Sequence, residues 1–345
     1  MENPQPAVRI GIGCIPGDYN LFPEWVRTAE ATGFSHVATG DSPTLWNDPF
    51  ITLAIAAQHS SKLRLSVQGT NPISRHPVAS AAAMESLQLL SGGRAFYGLG
   101  SGDSAVANMG KPRAKMAEVE AYGRAVQSLC SGRPAVYQGQ ALTMKWAAKP
   151  VPVHLCSEGP KTQRLAGTFA DGAILFNGIS REVVEASIRQ VHAGVTEAGR
   201  SVDDVELQWI IPFELCDDAA AGREAIKFAL AGTANRAFRH SLTDKFVPEH
   251  LHAGFRGLQA EYRSSSHQQL GDHHFNASLL DKYGLTDYLI ERFAIIGPPA
   301  VCAERLRELI SWGARTLTLT TVSLDRAGQI DLMRRTADTI FPDVF

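Results

Sequence analysis

The chain alternates short runs rich in Val, Ile and Leu with longer runs whose apolar residues recur every three or four positions. Residues 8–14 read as a strand, since apolar and small residues fill a span too short for a helix. Residues 22–32 follow with Phe22, Val26 and Ala29 at helical spacing, and Gly33 stops them. The couplet then repeats as strand 36–39 and helix 49–59, strand 63–69 and helix 78–90, strand 94–100 and helix 114–129. Further on come strand 153–157, helix 164–170, strand 172–176, helix 183–198 and strand 205–215. The last part reads as helix 301–312, strand 316–322 and helix 330–340.

Strands alternating with helices of this length imply a parallel sheet covered by helices. Counting one strand each around Val8, Val37, Leu65, Ala95, Val153, Ala173, Leu207 and Leu317 favours a closed (β/α)₈ barrel. An open doubly wound sheet is the rival. Two stretches break the rhythm within what reads as a single 1–345 domain. Residues 133–150, preceded by Gly132, carry Pro134, Gly139 and Pro150 around Tyr137 and Trp146, and read as a hairpin or excursion. Residues 231–292 are long, polar and rich in His and Ser, and read as a mostly helical insertion before the last strand. In a barrel such excursions lie at the C-terminal mouth, where lids and pockets form.

Composition narrows the class. Of 345 residues, 44% are hydrophobic and 20% charged, with a net charge of -2, the mixture of a globular chain with a full core. That charge offers no electrostatic reason to expect nucleic acid or an acidic membrane surface. Cys14, Cys130, Cys156, Cys216 and Cys302 are odd in number and never form a CxxC pair, so neither a disulfide framework nor a cysteine zinc site is expected. The first residues lack a secretory pattern, and no apolar run approaches the roughly 20 residues that span a bilayer. A cytoplasmic protein acting on a small molecule is the expectation.

Barrel chemistry sits where strands end and helices begin. Strand two ends in Gly40-Asp41-Ser42 and runs on to Trp46, which we place in the pocket. Strand three ends in Gln68-Gly69-Thr70-Asn71, followed by Arg75-His76-Pro77. Strand four ends in Gly98-Leu99-Gly100-Ser101-Gly102-Asp103, and strand five in Ser157-Glu158-Gly159-Pro160-Lys161. The strand-four glycines admit either a close approach to a flat ligand or only a tight turn, and they lack the third glycine of a dinucleotide fingerprint. Pro160 suits a first helical turn, and Gly159 leaves amides there uncovered, so this start can hold a phosphate or be merely a capped helix. Arg75-His76 can pair an anion or anchor a helix start, and the structural role ranks first because Pro77 follows.

The blocks 68–78, 90–94 and 98–103, with Asp103-Ser104-Ala105-Val106, Glu158-Gly159-Pro160-Lys161 and Ala170-Asp171-Gly172-Ala173, resemble the bacterial luciferase-like superfamily. The resemblance is greatest to its methylenetetrahydromethanopterin reductase branch, whose members use the deazaflavin F420. It covers nearly the whole chain, the 231–292 region least. It implies an oxidoreductase binding F420 or FMN, dimeric, with a separate flavin reductase as partner if FMN is used. It further implies a cis peptide at Gln68–Gly69, and Thr70 and Asn71 facing the cofactor's polar edge. Gly100, Ser101, Asp103 and Asn108 would line the cofactor, and Ser157, Gly159, Pro160 and Lys161 would hold its phosphate.

One departure bears on mechanism. Many relatives carry Asp-His at the end of strand two, whereas this chain has Asp41-Ser42. A hydroxyl cannot replace a group titrating near neutrality. The catalytic candidates are therefore Asp41, Ser42 and Asp103, with a histidine of the insertion in reserve. His250, His252, His267, His273 and His274 fit no metal-ligand spacing, so no metal is expected. Cys156 reads as a small buried hydrophobe, and neither a GxSxG elbow nor a Walker A run is present. The competing function is a barrel that keeps a flavin site but has lost turnover with the missing histidine.

Overall fold

Eight parallel strands close on themselves in the computed structural model, which describes residues 7–147, 149–239, 241–263, 274–321 and 325–345. They are β1 (Arg9–Cys14), β2 (His36–Thr39), β3 (Arg64–Thr70), β4 (Ala95–Leu99), β5 (Val153–Ser157), β6 (Gly172–Leu175), β7 (Glu206–Leu215) and β8 (Thr316–Thr320). Each pairs with its neighbour in order, and β8 returns to β1 with Arg9 opposite Thr316. The fold is the (β/α)₈ barrel that the alternation predicts, and the doubly wound rival is excluded by that closure.

Proline sets many of the helix starts. Helices Pro49–Gln58, Pro77–Leu90, Pro160–Phe169 and Pro299–Ser311 all carry it in the first turn, where a missing N–H leaves no bond unmade. Asp48 caps the first of these by accepting from the Phe50 and Ile51 amides, and His76 caps the second from Val78. The apolar faces of the helices close over the outward side chains of the strands, such as Ile10, Ile12, Val37, Leu65 and Val67, in one continuous core.

The barrel interior is filled by a polar layer in its amino-terminal half. His36 from β2 meets Thr318 of β8 at 2.7 Å, and Gln208 of β7 bonds both. His154 from β5 lies near Glu206, which Arg64 grips with two bonds of 2.8 and 2.7 Å. Phe96 packs edge-on to His36 and tilted against His154. Both imidazoles fit because the next strand carries glycine: a Cβ at Gly11 would lie 2.3 Å from the His36 ring, and one at Gly172 2.7 Å from His154. Large side chains opposite small ones are how a small barrel fills its centre.

Three details differ from expectation. The excursion begins earlier than residue 231, because one unbroken helix, Ala219–Phe238, spans that position and follows β7 directly. Its sequence is Ala- and Gly-rich on all sides, so no apolar stripe marks it. A ninth, three-residue strand, Ile295–Gly297, extends the end of β7 by pairing beside Phe213–Leu215. Helices Ala219–Phe238, His252–Glu261, His274–Lys282 and Thr286–Phe293 share a separate hydrophobic cluster built around Leu230, Phe238, Phe255 and Leu289. The stretch 133–150 contains the expected hairpin, Ala135–Tyr137 against Gln140–Leu142.

The Gln68–Gly69 peptide is the third difference. It is trans, as are all peptides among the described residues. The strand changes direction there by another device. Gly69 takes φ of +89°, a conformation only glycine adopts freely, and the β3–β4 register slips between Val67 and Thr70.

Candidate active site

A cavity of about 770 Å³ opens at the carboxyl ends of the strands. Its floor exists because the uppermost inward positions are small: Gly13, Ala38, Gly100, Cys156 and Thr320 all line it, beside Gln68 and Ile210. Gly98 permits the close strand contact beneath, since a Cβ there would lie 2.6 Å from the Val67 carbonyl. Gly40 does the same for Trp46, whose ring occupies the space a Cβ would need, at 2.7 Å. Trp46, Met116, Phe176 and Ile210 make the remaining wall largely apolar.

Asp41 is the buried acid of this cavity, only 4% exposed. Its Oδ2 accepts the Thr70 hydroxyl at 2.8 Å and lies 3.9 Å from Arg75 Nε, while Oδ1 has no hydrogen-bond partner. Burial raises the carboxyl above its ordinary pKa, and the Thr70 bond and Arg75 charge offset this only in part. Arg75 itself is bonded to Asp48, the cap of the Pro49–Gln58 helix, at 2.7 Å and stacked on Phe50. Ser42 turns towards Ser104, 3.3 Å away, and ties the β2 loop to the β4 loop.

Asp103 is a different acid. It contacts Arg113 from the β4 loop and Arg239, 2.7 Å away, from the end of the excursion's first helix. Burial would raise its carboxyl, but the two guanidinium groups hold it down to about 2. It is therefore charged at neutral pH and works as an anchor between loop and excursion. Burial pushes the Cys156 thiol up to about 12, which removes it as a nucleophile and agrees with its reading as a hydrophobe.

Of the other residues expected to touch a cofactor, Gln68, Gly69, Gly100, Ser101 and Gly159 line the cavity. Thr70 and Asn71 stand behind its wall instead. Thr70 is committed to Asp41, and Asn71 Oδ1 accepts the Ile73 and Ser74 amides, so both orient neighbours. Asn108 ends a four-residue helix away from the lining. Ser157 is fully buried, with its one O–H within reach of the Leu155 carbonyl at 3.0 Å and the Thr162 carbonyl at 3.2 Å. Lys161 is exposed, and Pro160 lines a neighbouring cavity. Gly159, extended at φ -134°, has no atom within 4 Å of where a Cβ would stand, so the helix start opens on free space.

Sequence reading missed the cations. Arg113, Lys115, Arg236 and Lys245 also line the cavity, with Arg236 paired to Glu158 and stacked on Phe176. Two of them come from the excursion, more than a hundred residues from the β4 loop, and no local pattern announces them. His250 and His252 are not in the wall, and His252 bonds the Val247 carbonyl; His267 and His273 lie outside the described residues. Among the described residues no group of three metal-ligating side chains occurs, and no helix is long and apolar enough to cross a membrane.

The cavity also fits a flat polar heterocycle on its own terms. Asp41 Oδ1, Trp46 Nε1 and Gln68 Nε2 are buried atoms of lining residues without hydrogen-bond partners. An acceptor and two donors left open beside an apolar wall match a ring with polar edges and two faces.

Comparison with known proteins agrees with this geometry. Residues 7–316 match the family model described as luciferase-like monooxygenase. The chain is 27% identical to 5,10-methylenetetrahydromethanopterin reductase of Methanolobus tindarius, over 88% of this chain and 91% of that one. It is 29% identical to the F420-dependent hydroxymycolic acid dehydrogenase of Mycobacterium tuberculosis, over 64% and 67%. The solved coenzyme F420-dependent tetrahydromethanopterin reductase of Methanopyrus kandleri superposes with a TM-score of 0.75 at 22% identity, covering 99% of this chain and all of the other.

Proposed function

The chain belongs to the luciferase-like monooxygenase family and is a flavin-type oxidoreductase, and we propose that it binds F420 and exchanges hydride with a small organic substrate in the barrel mouth. The observation that carries this reading is the coincidence of small strand ends, open polar atoms and the uncovered helix start at Gly159 around one cavity. F420 is preferred over FMN because the relative aligned to two thirds of its own length is named as F420-dependent, and because the excursion side of the mouth is rich in cations. Among the described residues, Arg113, Lys115, Arg236 and Lys245 line that side with Asp103 and Glu158, and Arg239 adds a further cation on Asp103, an excess suited to an anionic cofactor.

The cofactor, when bound, supplies the two-electron hydride chemistry of its ring. The chain supplies position and the proton. Gln68 Nε2 and the Gly69 backbone would hold the ring's polar edge, and the helix start at Gly159 its phosphate. Trp46, Met116, Phe176 and Ile210 exclude water. Asp41 Oδ1 is the basic atom at hand: buried, unpartnered, and part of a carboxyl whose pKa burial raises. Asp103 is excluded from that role by its two arginines.

Titration of the apo-protein with F420 and with FMN, followed by cofactor fluorescence, tests the reading. Saturable binding of F420 with weaker or no binding of FMN is expected. Tighter FMN binding would replace hydride exchange by oxygen-dependent monooxygenation with a separate flavin reductase. Binding of neither would remove the cofactor assignment.

A further inference from the structure

Beside the main cavity, and sharing Glu158 and Lys245 with it, lies a second cavity of about 420 Å³. It opens between the start of helix Pro160–Phe169, helix Arg181–Glu197 and the segment after Phe238. Its wall holds a buried cation, Arg292, only 4% exposed. No carboxylate among the described residues pairs with it. Nε and Nη2 donate to the Asn177 carbonyl at 3.2 and 3.0 Å, and Nη1 donates to the Phe246 carbonyl at 3.3 Å and the Tyr288 hydroxyl at 2.9 Å. A guanidinium has five N–H donors, so these four contacts leave one uncommitted.

A full charge taken out of water and held only by neutral dipoles is unfavourable, and an anion placed beside it recovers that loss. Glu182 acts on Arg292 only from a distance and makes no ion pair with it, and the other charges around the cavity supply no partner. Lys245 donates to the Ala237 carbonyl at 2.6 Å and pairs with no described carboxylate. Arg189 stands at the rim, 3.9 Å from Glu185. Of the two acids in the lining, Glu158 is taken by Arg236 and Asp244 is exposed to solvent. A second, independent sign is Asn177 Oδ1, a buried acceptor in the same lining with no partner.

We propose that this second cavity is a subsite for an anionic group, a carboxylate or phosphate, whose neighbouring O–H or N–H is accepted by Asn177 Oδ1. The proposal rests on the reading of the main cavity as the cofactor and substrate site, because the two share a wall. Two sources carry that chemistry. One is the acidic glutamyl tail of F420, which offers carboxylates and amide N–H groups together. The other is an anionic end of the substrate.

The test measures fluorescence titrations of F420 bearing a glutamyl tail and of its tail-free, phosphate-free deazaflavin precursor, and calorimetric titration of inorganic phosphate into protein with and without F420. Both are run on wild type, on Arg292→Met and on Arg189→Gln. The Arg189 variant, at the rim of the second cavity only, leaves the buried packing intact should Arg292→Met fail to fold. If the tail is the ligand, the tail-bearing form binds wild type at least roughly tenfold tighter, as lost charge-assisted bonds imply, and the variants erase the part owed to the tail. If the substrate supplies the anion, the variants leave F420 affinity alone but abolish phosphate binding to the F420-loaded protein. Should F420 not bind at all, the cofactor reading falls, yet phosphate binding to apo-protein that depends on Arg292 still supports the subsite. Tail and phosphate affinities that are the same in wild type and folded variants overturn it.

Discussion

The Thr70 hydroxyl donates to Asp41 Oδ2 across 2.8 Å and leaves Oδ1 as a buried oxygen without a partner at the cavity wall. One oxygen is thereby fixed in place and the other left for chemistry. Because burial raises this carboxyl, its folded-state pKa exceeds its unfolded one. Such a group adds stability below its ordinary range near 3.9 and loses it as pH rises through the raised value. Ionised Asp41 therefore weakens the fold relative to its protonated form. Asp41→Asn, which can still accept from Thr70, is expected to raise the melting temperature while lowering turnover by roughly 10²–10⁴-fold. A variant with wild-type rate and pH profile would remove Asp41 as the proton carrier.

Ser42 occupies the position where many relatives have histidine, yet its hydroxyl meets only Ser104 among the described side chains. Ser42→Ala should change turnover by less than about tenfold, some 1.4 kcal/mol of barrier. A loss comparable to that of Asp41→Asn would show that the hydroxyl itself takes part. Steady-state rates of the two variants across one pH series separate the cases.

The polar floor of the barrel makes stability depend on pH. Burial, with the Arg64 charge, holds His36 down to about 3 and His154 down to about 4, so both are neutral when folded. Below about 6.5 the unfolded chain binds protons that the folded one refuses, and stability falls as pH drops from there towards the folded values. Unfolding free energy should decline between pH 6.5 and 4.5, before most carboxylates titrate, by on the order of 1 kcal/mol or more per histidine, and the melting temperature with it. His154→Gln should flatten part of that slope. An unchanged slope in the folded variant would show that the decline arises elsewhere.

What could be read in advance follows from how far the deciding contacts reach along the chain. The strands and most helices were legible because hydrophobic period, Pro at helix starts and Gly at turns act over a few residues. Asp41, Gln68 and Gly159 were legible because barrel topology alone places strand ends at the mouth. The trans peptide at Gly69 was not, since positive φ with a register slip and a cis bond turn a strand equally well and both favour glycine. Thr70 and Asn71 are spent on Asp41 and on the Ile73 and Ser74 amides, contacts that no spacing along the chain announces. Arg236, Arg239 and Lys245 were hidden because only folding of the excursion over the mouth brings them to Glu158 and Asp103.

Gly159 offers the cleanest separation of fold from function. Its backbone is extended, within reach of any residue, and the space around a new Cβ is empty. Aspartate there should fold normally and would also suit the position before a helix, where a carboxylate can cap the first amides. That same carboxylate would occupy and repel at the spot where a phosphate is to sit, with like charges at close range in a partly dry cavity. Gly159→Asp is therefore expected to abolish binding of F420 and FMN alike, with a native circular dichroism spectrum and an equal or higher melting temperature. Gly159→Ala, which adds bulk without charge, should reduce affinity far less. If the aspartate variant binds either cofactor as tightly as wild type, the helix start is not the phosphate site, and the cations of the excursion become the alternative anchor.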